Sequence, residues 1–352
     1  MRVVILSDNK PGHYKQSLGI VERLPNCEME WVTVEFRHKW RDNLLRVFMC
    51  VLGGTSLSLS FIHTLLRWSL TADTYSALTT LHTADITLST GSSVAAVNLL
   101  LGQLHSAKTV TCRRPSPLGT RYFDLAILPM FSWHGKKEKN NVCKTVGVPN
   151  PISPNALNAE QKQLVEELNL PDCQRIGILL VGTDRHETIT TADAEELHKI
   201  CETINTELGA QILVTTSRRT PTDVVEHLSA TLKHADWCPL FIEPNTVLAL
   251  TDPYQAILAL SDLLIVTADS FSMVCEAASS GRPVIVLTLS KAQTNKPKRY
   301  KVYTYMEQHA IVSQCRLDGL KQYIVNGLTL HIPNTPLRDT ETAAEAINRL
   351  VV

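Results

Sequence analysis

The chain has no surplus of charge of either sign, since 34 Lys and Arg stand against 34 Asp and Glu over 352 residues. Without a long-range positive field, non-specific nucleic-acid binding has no driving force, and any anion site must be local. No CxxC occurs: among Cys27, Cys50, Cys112, Cys143, Cys173, Cys201, Cys238, Cys275 and Cys315, no pair lies closer than the first two. That spacing excludes a dithiol redox motif and paired zinc knuckles, and the thiols read as the reduced ones of a cytosolic protein. Also missing are a G-x-G-x-x-G after the first apolar run and a G-x-x-x-x-G-K-[ST] anywhere. Neither a dinucleotide fingerprint nor a P-loop is therefore present. No D-x-D carboxylate pair offers to hold a metal, and Met1-Arg2 passes straight into Val3-Val4-Ile5-Leu6 without a charged n-region and a signal-length apolar run. The expectation is a chain that is not exported and whose phosphate chemistry rests on side chains and helix ends.

What is present is 44% hydrophobic residues with only 19% charged ones, enough for two domains with separate cores. Short apolar runs alternate with helical patterns, which predicts α/β architecture in two Rossmann-like, doubly wound halves. In the first half, strands are expected at 2–7, 29–34, 86–89, 109–112 and 125–129, with helices at 14–23 and 93–104. Residues 133–158 lose periodicity, run through Lys136-Lys137-Glu138-Lys139 and carry Pro149, Pro151 and Pro154, as a linker would. This divides the chain into 1–149 and 150–330, followed by a tail, 331–352, whose last helix would return to the first domain. The second half repeats the alternation, with strands at 175–181, 211–215, 263–267 and 284–287. Residues 47–66 lack Lys, Arg, Asp and Glu altogether, yet Gly53, Gly54, Ser56, Ser58, Ser60 and His63 make them a poor membrane span. Leu57, Phe61, Leu65 and Trp68 recur at helical spacing instead. They make a face that serves either a core helix or a peripheral membrane contact through 44–68.

Ligands of open α/β sheets bind at the carboxyl ends of strands, so the loops there, and the cleft between the domains, hold the candidates. After the first strand come Asp8, Lys10, Pro11, Gly12, His13 and Gln16, with Gly12 supplying the turn and His13 placed at a helix start as a general base. The plain alternative is capping and turn formation by Asp8, Asn9 and Ser17. After the run 263–267, Asp269, Ser270, Ser272 and Met273 open a helix whose free N–H groups would hold a diphosphate, and Glu276 further along would accept from ribose hydroxyls. Ser217, Arg218 and Arg219 end another strand ahead of Pro221. Their guanidinium groups would neutralise a leaving diphosphate without a metal, unless they form only a solvated turn. Thr183, in Gly182-Thr183-Asp184-Arg185-His186, approaches the same ligand. Lys296, Lys298, Arg299 and Lys301, interleaved with Tyr300 and Tyr303, read as a contact for an anionic acceptor or lipid, or as a solvated helix face.

Taken in order, Lys10-Pro11-Gly12-His13 with Gln16-Ser17-Leu18-Gly19, Ser217-Arg218-Arg219-Thr220-Pro221, Asp252-Pro253-Tyr254, and Thr267-Ala268-Asp269-Ser270 through Met273 to Glu276-Ala277 resemble a known family. It is that of the plant mitochondrial-fission "elongated mitochondria" proteins and their bacterial glycosyltransferase-type relatives. More distantly, Gly12-His13 and Glu276 followed by Gly281-Arg282-Pro283 are similar to the lipid-linked N-acetylglucosaminyltransferase of peptidoglycan synthesis, a GT-B enzyme. The resemblance implies a nucleotide-diphosphate sugar as co-substrate in the second domain and a glycan or lipid-linked acceptor in the first. No further cofactor is expected, the charge balance speaks against nucleic acid, and the expected location is cytoplasmic, with 44–68 as the candidate peripheral contact at the inner face of a membrane. The chain departs from the family at Gly182-Thr183-Asp184, where a Gly-Gly loop is usual.

The expectation is a metal-independent GT-B hexosyltransferase. His13 or Asp8 would deprotonate the acceptor, and Arg218 or Arg219 would stabilise the departing diphosphate. The alternatives are a non-catalytic nucleotide-sugar-binding or membrane-associated scaffold, and a sugar-nucleotide epimerase.

Overall fold

The computed structural model describes residues 1–133, 140–184, 186–244, 252–289, 298–329 and 334–351. Arg185, Lys296 and the 136–139 charge run lie outside them. The chain forms two compact units, one of Met1–Pro151 with Arg338–Val352 and one of Ile152–Leu337.

Unit 1 comprises β1 (Arg2–Ser7), α1 (Pro11–Val21), β2 (Glu28–Thr33), α2 (Lys39–Leu52), α3 (Leu59–Ser69), α4 (Ala72–Thr80), β3 (Ile86–Thr90), α5 (Ala95–His105), β4 (Lys108–Cys112), β5 (Leu125–Pro129) and β6 (Val142–Thr145). Its strands are all parallel, in the order β2-β1-β3-β4-β5-β6. The two-residue period of a strand sends Val3 and Ile5 to one face, with Ile20 and Leu88, and Val4 and Leu6 to the other, with Leu45, Met49, Ile62 and Leu66. Both faces are covered, which is why β3 reads as a continuous buried run.

Unit 2 comprises α6 (Pro154–Glu167), β7 (Arg175–Leu179), α7 (Thr191–Leu208), β8 (Gln211–Thr215), α8 (Thr222–Leu232), β9 (Leu240–Ile242), α9 (Pro253–Leu260), β10 (Leu263–Thr267), α10 (Phe271–Ser279), β11 (Val284–Thr288), α11 (Arg299–Gln308), β12 (Ser313–Arg316) and α12 (Leu320–Thr329). The strands are again parallel, ordered β12-β11-β10-β7-β8-β9. The last helix, α13 (Asp339–Val351), belongs to unit 1, where Ala343, Ala344 and Ile347 join the core beside Val3 and Ile5. Asp339 ties its start to the chain after β6 by accepting from the N–H groups of Val146 (2.8 Å) and Gly147 (2.6 Å).

Two expectations change here. The stretch taken as a linker contains β6, the edge strand of unit 1, and Pro154 opens α6 at its first turn instead of marking a loop. The uncharged segment 47–66 is split at Gly53–Ser58 between α2 and α3, and no helix among the described residues is long and apolar enough to cross a membrane. The face read at Leu57, Phe61, Leu65 and Trp68, open to a core or a membrane role, is divided: Leu65 is buried with Ile62 and Leu66 and Leu57 packs against that core, whereas Phe61, Leu59, Val47, Phe48 and Val51 are exposed.

Candidate functional site

In unit 1 the sheet changes direction of winding between β1 and β3, so a crevice opens at their carboxyl ends. The two loops there are joined by a hydrogen bond from the Ser93 hydroxyl to Asp8 Oδ2 (2.8 Å). The Asp8 side chain, 6% exposed, also accepts from His13 Nδ1 at 3.0 Å and from Lys10 Nζ at 2.6 Å. Burial works against its charge, but His13, Lys10 and Ser93 outweigh it and hold the carboxyl well below the usual carboxylate range. His13 occupies the first turn of α1, where Pro11 sits with its missing N–H at no cost. Its Nε2 lies 3.3 Å from a guanidinium nitrogen of Arg113, which follows β4. An ionised carboxylate only accepts and a guanidinium only donates, so the contacts assign a neutral imidazole with its proton on Nδ1 and its lone pair on Nε2.

The turn before α1 is made differently from expectation. Asn9 takes the left-handed conformation (φ 59°), and Ser7 Oγ accepts its N–H at 3.1 Å. Gly12 is an ordinary helical residue. Gln16 is buried within α1 and donates to the Gly12 carbonyl (2.8 Å). Lys10 and His13 line a concavity of about 440 Å³ together with Arg46, Ser92, Arg113 and Arg114. Sequence reasoning passed over Arg113-Arg114, although an arginine pair at the end of a strand is the signal that singled out Arg218-Arg219.

In unit 2 the winding reverses between β7 and β10. Gly182 (φ 111°) lets the loop after β7 press against the loop after β8, where a Cβ would stand 2.5 Å from Thr220 Cα. Ser217 Oγ donates to the Val181 carbonyl (2.6 Å) and accepts from Arg219 N–H (3.0 Å), so this hydroxyl is used in shaping the turn. The turn presents Arg218 and Arg219 as exposed side chains. Thr183 forms a short antiparallel bridge with Thr188. Asp184 is paired with Arg299 (2.7 Å), and Glu187 with Arg299 (3.2 Å) and the Tyr300 hydroxyl. Arg299, Tyr300 and Tyr303 therefore turn inward, which removes them from the expected basic contact face and leaves Lys298 and Lys301 exposed.

Ser270 is the N-cap of α10 but makes no side-chain cap, leaving the amides of the first turn, with Ser272 and Met273, uncapped by it. Asp269 is turned into the protein, its side chain fully covered, with Arg219 at 3.5 Å. Burial and the Glu187 and Asp184 carboxylates raise its pKa against the opposing pull of Thr267 and Arg219. Asp269 thus orients Arg219 and does not itself face an anion. Glu276 is buried, only 6% exposed, beside Tyr254. Burial, and next the Glu276 carboxylate, push the Tyr254 hydroxyl well above its ordinary value. The Asp252-Pro253-Tyr254 motif is explained by this placement: Asp252 caps α9 through Gln255 N–H (3.1 Å), Pro253 starts the helix, and Tyr254 reaches Glu276. Among the described residues, no three His, Cys, Asp or Glu side chains are grouped to hold a metal ion.

A family model described as mitochondrial fission ELM1 matches residues 11–351. Comparison with curated protein sequences gives no match. Among solved structures, the chain is similar to the UDP-GlcNAc 2-epimerase of Methanocaldococcus jannaschii, with a TM-score of 0.60 and 14% identity over 100% of this chain and 99% of that one. The Neisseria meningitidis UDP-GlcNAc 2-epimerase bound to UDP-GlcNAc gives 0.58 and 13% over 99% and 100%. The S. aureus MnaA–UDP co-structure gives 0.56 and 14% over 99% and 95%. At these identities the likeness is one of fold, two doubly wound α/β units of the GT-B type.

Proposed function

The chain belongs to the mitochondrial fission ELM1 family, and from that premise we propose that it is a GT-B glycosyltransferase that moves a hexosyl group from a nucleotide-diphosphate donor to a glycan or lipid-linked acceptor. The observation that carries the reading is the Asp8–His13 pair at the switch point of unit 1, a neutral imidazole oriented by a buried carboxylate. His13 Nε2 takes the proton of the acceptor hydroxyl as that oxygen bonds to the anomeric carbon, and Asp8 stabilises the resulting imidazolium. The bond from the anomeric carbon to the diphosphate oxygen breaks, and the nucleoside diphosphate leaves with its electron pair. Unit 2 holds that leaving group through the amides at the start of α10 and through Arg218 or Arg219, in the role a metal would otherwise fill. Glu276 holds the ribose, and Thr183 borders the donor. The exposed apolar side chains of α2 and α3 would bring the protein to the cytoplasmic face of a membrane.

A second reading, a sugar-nucleotide epimerase, is favoured by the UDP-GlcNAc 2-epimerases that share the fold over the full chain. The two are separated by one screen. Wild type and Glu276→Ala are titrated with UDP-, GDP-, ADP-, dTDP- and CMP-linked sugars by calorimetry and thermal shift, since a ligand of the folded state raises its apparent stability. A donor found in this way is then incubated with and without acceptors. Transfer that requires an acceptor and is lost in His13→Ala supports the proposal. Isomerisation of the donor alone establishes the epimerase, and binding without either reaction establishes a scaffold.

A further inference from the structure

Arg113 and Arg114 stand at the carboxyl end of β4 and line the same concavity as His13. Among the described residues, neither has a carboxylate within ion-pairing distance, and the same holds for Lys39 on its rim. Arg46 differs, being committed to Asp42 through two hydrogen bonds of 2.8 and 3.0 Å. Burial pulls the Arg113 guanidinium below its ordinary pKa, against the smaller opposing pull of the Cys112 thiol and the Asp8 carboxylate. The Nε–H of Arg114 is buried with no acceptor among the described residues. On the facing wall, Gly91, Ser92 and Ser93 lead into α5, and Ser92 Oγ accepts from Ser116 N–H (2.9 Å), which leaves its own proton to donate.

Three cations without a carboxylate partner among the described residues, Arg113 donating only to His13 Nε2 (3.3 Å) and Arg114 to the Ser132 carbonyl (3.5 Å), together with a hydroxyl donor and set against the already paired carboxylate of Asp42 on the same lining, exceed what a carboxylate ligand needs. They suit a group carrying two or more negative charges on several oxygens. We propose that this concavity binds a phosphate or diphosphate group of the acceptor, with Arg113, Arg114 and Lys39 as its ligands. Only the word acceptor rests on the glycosyl-transfer reading; the anion site stands on the unit 1 geometry. The site has a consequence for the base. Arg113 now donates to His13 Nε2, the lone pair that must receive the acceptor's proton. An anion that draws the guanidinium to itself uncovers Nε2, so a seated acceptor readies its own base.

The test is calorimetric titration of the full chain with inorganic pyrophosphate, which requires no turnover and no donor. In an Arg218→Gln/Arg219→Gln background, which weakens the leaving-group site proposed for unit 2, binding is expected, and it is weakened about tenfold or more by adding Arg114→Gln or the exposed-site variant Lys39→Gln. Arg114→Lys, which keeps the charge but not the forked donors, should fall between. Absence of binding in that background, or binding there that Arg114→Gln leaves unchanged, overturns the site, whatever becomes of the transfer reaction. A second arm separates the two sources of the group. Phosphatidylcholine vesicles with and without a prenyl diphosphate are pelleted with the protein. Recovery that depends on both the diphosphate and Arg114 assigns a lipid-borne group, whereas pyrophosphate binding with no such recovery assigns a soluble one.

Discussion

Gly91 stands so close to His13 that a Cβ built on it would lie 2.6 Å from the imidazole Cε1 and 2.9 Å from Nδ1. With its φ of 92°, the position is also one that an L side chain adopts only under strain. The glycine after β3 is thus the wall against which the candidate base is set. Gly91→Ala must displace the ring from Asp8 and also carry the backbone penalty, about 1–2 kcal/mol. The expected result is a folded protein of lower Tm whose turnover falls on the order of 100-fold with little change in donor affinity. Unchanged turnover would show that the position of His13 is immaterial to the reaction.

The pair of Asp8 and His13 makes a second expectation about acid. Because the Asp8 carboxyl is held below its ordinary value, the folded state prefers the ionised form, and that preference is fully felt at neutral pH. As the pH falls below about 4, the unfolded chain takes up this proton first, and the contribution is progressively lost. Asp8→Asn should therefore melt below wild type at pH 7, with a gap in Tm that narrows in acid. A gap that is absent at pH 7, or that widens toward pH 3, would contradict the network of His13, Lys10 and Ser93 around this carboxylate.

Much of this arrangement was legible in residue order because strand ends and polar loops announce themselves. Leu263–Thr267 is a continuous apolar run, and Asp269 and Ser270 follow it at once. The loop from Asp8 to His13 was visible for the same reason. What stayed hidden was side-chain direction. Nothing in the sequence distinguishes a carboxylate aimed at solvent from Asp269, which is turned inward toward Arg219, or shows that Glu276 is buried beside Tyr254. The strand β6 was obscured because only four residues form it, at the sheet edge, beside a Lys-rich run and three prolines. Periodicity in 57–68 found a helix and placed Leu57 and Leu65 on its core side, but it could not show that Phe61, grouped with them, stays exposed while Ile62 packs inward.

Gly19 explains another part of the sequence motif. It lies on the side of α1 that meets the chain at Asn150, where a Cβ would stand 2.3 Å from the carbonyl carbon and 2.4 Å from its oxygen. Those atoms are backbone, so they give way only by moving α1 off its seat. Gly19→Ala should cost about 1–3 kcal/mol by overpacking, read as a lowered midpoint in urea with the slope unchanged. A midpoint equal to wild type would mean that the helix is not held at this distance.

The last expectation concerns α2 and α3, which together bury Leu45, Met49, Ile62, Leu65 and Leu66 in the unit 1 core yet leave Trp40, Val47, Phe48, Val51, Leu59 and Phe61 exposed. Val51 is 77% exposed, well beyond what an isolated surface residue of a helix needs to explain. Cations accompany them: Arg41 stacks on Trp40 and Trp68 with its guanidinium carbon 5.2 and 5.3 Å from the ring centres, and Arg67 lies 5.1 Å over Tyr75. Apolar side chains joined to arginines and ring edges match the boundary between headgroups and acyl chains, where each neighbouring cation adds about 1 kcal/mol on an anionic surface. Sedimentation with vesicles containing phosphatidylserine should recover wild type and should fail for Val51→Asp combined with Phe61→Asp. Because both positions are exposed, the double variant should keep its Tm within a few degrees, so lost recovery reports the surface and not unfolding. Recovery unaffected by the two aspartates would leave these helices without a membrane role, and equal recovery on neutral vesicles would remove the arginines from the account.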